Sequence, residues 1–126
     1  TFGCHKQVVF VGGIYDHKKI NSLRQNCTLY FHGHSVGGTN PSLIEAMANR
    51  CRIIAHDNVF NRAVLGLDGL YFASSSDLKD IIKNSSKLIS ELDLFSVSNL
   101  EKVMSGYRWD DIANKYIDNF HMVISK

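Results

Sequence analysis

The stretch His32-Gly-His-Ser-Val-Gly-Gly-Thr-Asn-Pro-Ser-Leu-Ile-Glu-Ala-Met-Ala48 decides how this chain is read. It leaves a strand-forming run, Thr28–His32, passes through a glycine loop and enters a stretch with helical apolar spacing, Pro41–Asn49. In that stretch Leu43, Ile44, Met47 and Ala48 recur at helical intervals. Thr39 or Asn40 suits the cap of the helix, and Pro41 suits its first position. In open α/β sheets, ligands sit beyond the C-terminal ends of the strands, which is where this loop falls. Gly37 and Gly38 allow backbone conformations and close approaches that side chains block. Free amides at a helix start, with the positive end of the dipole, favour an anion. A phosphate or diphosphate is the natural occupant. Glu45 lies about one turn inside the helix, too far in for a simple cap, and its carboxylate suits the diol of a ribose. The loop matches neither the dinucleotide glycine fingerprint nor the P-loop.

Working outward, the runs Val8–Gly12, Thr28–His32, Cys51–Ala55 and Leu70–Phe72 read as strands. They do not alternate cleanly with polar residues, as expected of a parallel sheet covered on both faces. Asp16–Asn26, Pro41–Asn49, Ser76–Leu92, Val97–Ser105 and Trp109–Ile124 read as helices. Strands alternating with helices predict an α/β fold, a Rossmann-like doubly wound parallel sheet with right-handed crossovers and helices on both faces. Such domains usually have about six strands. The smaller number here predicts part of a larger domain.

The 126 residues fit one domain, 1–126. Apolar residues make up 44% and charged residues 21%, which argues against disorder. No apolar run reaches the ~20 residues of a membrane-spanning helix, and the start does not read as a signal peptide. A net charge of +2 is too small to imply a nucleic-acid partner. Cys4, Cys27 and Cys51 show no paired spacing, so Cys27 and Cys51, beside strand-like runs, read as buried free thiols. His32 and His34, two apart at a strand end, would need Cys27 or His56 to make a metal site. The expected reading is histidines hydrogen-bonded at a ligand edge, with no metal. Asp57-Asn58 reads as a capping turn. Lys18, Lys19 and Arg24 read as a solvated basic face, and Trp109, Tyr116 and Phe120 as packing.

HGHSVGGTNPSLIEAMA followed by CRIIAHDN resembles the donor-binding signature of retaining GT-B glycosyltransferases of family four. VVFVGGIYDHKKINSLRQNCTLYFHG resembles the segment before it, and YRWDDIANKY resembles the closing helix. The likeness runs over nearly the whole chain. Its HGHSVGGTNPS form is closest to bacterial enzymes that build O-antigen and capsule polysaccharides, including a rhamnosyltransferase-like branch.

The resemblance implies the C-terminal, donor-binding part of a two-domain GT-B enzyme, whose acceptor domain and first donor-domain elements precede Thr1. It implies transfer of a sugar, with retention, from a nucleotide sugar to a lipid-linked acceptor such as an undecaprenyl diphosphate oligosaccharide. The donor is expected to be a UDP-sugar, UDP-N-acetylgalactosamine or another UDP-hexose. The setting implied is O-antigen, lipopolysaccharide or capsule synthesis at the inner face of the cytoplasmic membrane, with no cofactor and no metal. Glu45 matches the second glutamate of the family's paired-glutamate motif, which holds the donor ribose. Gly38, Thr39, Asn40 and Pro41 match the loop that meets the donor diphosphate and sugar, and Ser42 and Leu43 line the same turn. The motif's first glutamate, which contacts the transferred sugar, is replaced by Gly37, and His34 is the nearby polar substitute. Ala63 stands where related sequences often carry an acidic residue. The same reading makes the chain alone inactive and leaves apolar surface bare, which predicts self-association. The alternative is a non-catalytic nucleotide- or phosphate-binding α/β module.

Overall fold

A computed structural model describes residues 8–124 of the chain. Cys4 lies outside the described residues. The elements run α1 (His17–Asn26), β1 (Tyr30–His32), α2 (Pro41–Ala48), β2 (Ile53–His56), α3 (Val59–Leu65), β3 (Leu70–Phe72), α4 (Ser75–Gly106) and α5 (Trp109–Ile124). The α/β class holds, and the strands form one parallel sheet in the order β1-β2-β3.

Register fixes which residues share a face. Tyr30 lies opposite Ile53, His32 opposite Ala55, and Ala55 opposite Tyr71, so these five side chains stand on one side. Leu43, Ala46 and Met47 from α2 and Val64 and Leu65 from α3 pack against that side, with Cys51 completing the core. The two crossover helices thus share one face, while Ile54, which points to the opposite face of β2, is fully buried as well. Strands laid down in sequential order with crossovers of one hand put both crossover helices, α2 and α3, on the same face.

Helix α4 packs against α2 and β3. Its buried Leu92, Ser96 and Asn99 lie on one stripe. Arg52 at the start of β2 pairs with Asp93 at 2.7 Å. Asn99 donates to the Asp68 carbonyl at 2.7 Å, Ser98 to the Asp68 carboxylate at 2.6 Å, and Lys102 to the Leu65 carbonyl.

Four expectations change. Val8–Gly12 forms no strand, and Val8, Val9, Phe10 and Val11 are exposed. β-branched composition favours a strand only when a neighbouring edge and a packing surface are supplied. The two helices expected over Ser76–Leu92 and Val97–Ser105 are one continuous helix, because Asp93-Leu-Phe-Ser96 contains neither Gly nor Pro to stop it. Helix α3 was not expected. Asn58 caps it by accepting from the Asn61 amide at 2.8 Å, and Gly66, at φ +63°, ends it. Finally, α5 buries no residue, so Trp109, Tyr116 and Phe120 are exposed rather than packed. No helix among the described residues is long and apolar enough to cross a membrane.

Candidate functional site

The loop between β1 and α2 is held at both ends. At its start, the His34 carbonyl accepts from Asn58 at 2.9 Å and from Asn61 at 3.1 Å. Asn61, almost fully buried, also donates to the His56 carbonyl at 2.9 Å, so one amide side chain ties the C-terminal ends of β1 and β2 together. At its end, the Asn40 side chain caps α2, accepting from the Ser42 amide at 3.0 Å and the Ser42 hydroxyl at 2.8 Å. The Asn40 carbonyl takes the amides of Leu43 and Ile44 at 3.0 and 3.3 Å. Pro41 occupies the first helical position, as expected.

This capping changes where an anion would bind. The first-turn amides of α2 are already occupied by Asn40. Among the described residues, the amides of Gly37, Gly38 and Thr39 have no acceptor within the chain. All three residues are exposed. Gly37 sits at φ +116°, a conformation that L side chains rarely adopt, and open space surrounds both glycines. The amides without an acceptor therefore lie in the loop rather than in the helix turn.

The remaining candidates fall in different surroundings. Leu43 is fully buried in the core and braces the turn from beneath instead of lining it. Glu45 pairs through Oε2 with the Arg24 guanidinium at 2.6 Å. Arg24 is only 7% exposed, which corrects its assignment to a solvated basic face; Lys18 and Lys19 remain exposed. Glu45 is half-exposed, and its Oε1 has no partner among the described residues.

An open hollow of about 320 Å³ lies at the end of β1, lined by Tyr30, Phe31, His32, Gly33, His34 and Ser42. A second hollow of about 410 Å³ shares Tyr30, Phe31 and Ser42 and extends to Ile20, Leu23 and Arg24 of α1. His32 is 2% exposed and stacks on His34 with ring centroids 4.9 Å apart. Burial, then the neighbouring His34, lowers the His32 pKa below 6.5, so its imidazole is neutral at neutral pH. Its Nε2 has no hydrogen-bond partner among the described residues.

Asp57 is bound by Arg62 at 2.5 and 2.8 Å, and that hydrogen bonding holds its carboxyl below the usual range. It therefore serves α3 rather than the cleft. Cys27 and Cys51 are free thiols donating to one acceptor, the Arg24 carbonyl, at 3.1 and 3.3 Å. Burial first, then Cys27, pushes the Cys51 thiol up to about 12. Cys51 is buried as expected, whereas Cys27 is only half-buried. No group of three or more His, Cys, Asp or Glu able to hold a metal is assembled among the described residues.

Sequence reasoning missed Asn61 and Arg24 as parts of this site. Asn58-x-x-Asn61 carries a readable capping pattern, but its reach to the His34 carbonyl is tertiary. Nothing local in α1 marks Arg24 as buried. Comparisons with family models, curated proteins and solved structures find no match to this chain.

Proposed function

We propose that the chain is the donor-binding portion of a retaining GT-B glycosyltransferase that moves a hexose from a nucleotide sugar, a UDP-sugar, to a lipid-linked acceptor in bacterial surface-polysaccharide synthesis at the inner membrane face. The observation that carries this reading is the exposed Gly37–Thr39 loop. Its amides lack intramolecular acceptors, and it stands at the C-terminal sheet edge beside an open hollow. Those amides suit a diphosphate leaving group, whose developing charge preorganised donors stabilise. The free Oε1 of Glu45 suits a ribose hydroxyl, while Oε2 stays with Arg24. The apolar walls from Ile20 and Leu23 offer a surface for the base. The missing first glutamate also has a physical explanation. Gly37 at φ +116° occupies backbone space unfavourable to a glutamate. In the transfer, the bond from the anomeric carbon to the diphosphate oxygen breaks, one to the acceptor oxygen forms, and the acceptor's hydroxyl proton passes to the departing diphosphate. No residue is assigned as nucleophile or base.

Titration calorimetry with UDP, GDP, dTDP and their hexose derivatives tests the reading. Binding of at least one nucleotide is expected, with Glu45→Gln weakening it about tenfold to a hundredfold, the loss of a charge-assisted pair. Absence of binding across the whole panel, or full affinity in Glu45→Gln, overturns it.

A further inference from the structure

We infer that the His32 imidazole is the hydrogen-bonding partner of the hexose of a nucleotide sugar, in a hollow distinct from the loop amides that take the diphosphate. The inference rests on the nucleotide-sugar reading above and divides that site into two chemically different parts.

His32 is 98% buried by its 2% exposure, yet its Nε2 meets no partner among the described residues. Buried polar atoms are almost always satisfied, so an orphan that lines a hollow points to a ligand. The surroundings say which ligand group fits. Burial and His34 favour the neutral ring, which brings a diphosphate no positive charge. It is well matched to a hydroxyl, which can donate to or accept from it. Gly33, next along the chain, would place a Cβ in open space, so nothing there blocks approach. The Ser42 hydroxyl, on the same hollow, already donates to Asn40 and keeps only acceptor capacity. The hollow is thus lined by the ring of a buried, unpartnered imidazole, by a hydroxyl acceptor and by aromatic walls from Tyr30 and Phe31, a lining that suits a polyol. The anion is left to the unoccupied amides of Gly37, Gly38 and Thr39.

Histidine side-chain nitrogen spectra of the 15N-labelled protein test this. The probes are UDP-glucose, UDP-N-acetylgalactosamine, GDP-mannose and dTDP-rhamnose, each beside its free nucleoside diphosphate. The expected result is a shift of the His32 Nε2 resonance with a nucleotide sugar and not with the matching diphosphate. The Gly37 and Gly38 amides should shift with both. His32→Phe should weaken the sugar nucleotide by roughly threefold to tenfold, one neutral hydrogen bond, and leave the diphosphate unchanged. If His32→Phe fails to fold, His32→Gln or the wild-type resonance alone decides. An unmoved His32 with shifted loop amides overturns this inference and spares the nucleotide reading. An equal shift with the free diphosphate overturns the assignment to the hexose. No shift anywhere with any probe overturns both.

Discussion

At the scale of single residues, the β1–α2 loop depends on conformation and on two polar ties. Gly37 at φ +116° faces open space, so Gly37→Ala meets backbone strain and no clash. Its expected cost is about 1–2 kcal/mol. Gly38 has ordinary φ and open space, so Gly38→Ala should stay within about 0.5 kcal/mol. Urea denaturation of the pair checks this, and equal losses would refute the strain argument. Asn61→Ala removes donors from the His34 and His56 carbonyls at once. We expect a loss of about 1–3 kcal/mol, together with faster hydrogen exchange in the loop. Glu45→Gln carries a structural effect beside its binding one, because it leaves Arg24 buried without a carboxylate. Half-exposure of Glu45 limits that cost to about 1–2 kcal/mol, so donor affinity must be measured on the folded fraction.

At the scale of elements, α4 is the longest piece of the chain and its contribution is uneven along its length. Ser74 and Asp77 form a reciprocal capping box at its start, with the Ser74 side chain accepting from the Asp77 amide at 3.2 Å. Leu92 is 1% exposed, whereas Leu94, two residues on, is 72% exposed. Leu92→Ala should cost about 2–5 kcal/mol and Leu94→Ala less than about 0.5 kcal/mol. Thermal unfolding of both variants is the measurement. Similar losses would mean that α4 does not bury a stripe through Leu92, Ser96 and Asn99. Helix α5 is the opposite case, since it buries nothing and still carries exposed Trp109, Tyr116 and Phe120.

At the scale of the whole molecule, burial leaves a pH signature. The His32 pKa lies below its ordinary 6.5 in the folded state. On acidification the unfolded chain takes up that proton first, so stability declines as pH falls through about 6.5 and levels off below the folded value. Asp57, Asp68, Asp77 and Asp93 are held below 3.8 by hydrogen bonds from Arg62, Lys102, the Ala73 amide and Arg52 respectively. Their contribution is present above about pH 3.8 and fades below it. Urea midpoints should therefore be lower at about pH 5.5 than at about pH 7.5, with a second drop near pH 3. A flat profile between the first two values refutes the buried neutral His32. The exposed Val9, Phe10, Trp109 and Ile124 leave apolar surface bare, which favours self-association. Light scattering should show mass rising with concentration, and a constant monomer mass would overturn this.

The sequence alone determined the α/β class, the strand–loop–helix at His32–Ala48 and the cap chemistry of Asn40 and Pro41. These depend on local apolar spacing and on groups a few residues apart. It also picked out Glu45 as a carboxylate one turn inside the helix. Tertiary structure decided what Glu45 faces, because Arg24 reaches it from α1. It decided that Leu43 is core, that Val8–Gly12 gains no strand partner, and that α2 and α3 share one face. It alone tied His34 to Asn58 and Asn61 and sealed His32 away from water without a partner. Each of these depends on contacts between residues far apart in the chain, which local propensity and periodicity do not encode.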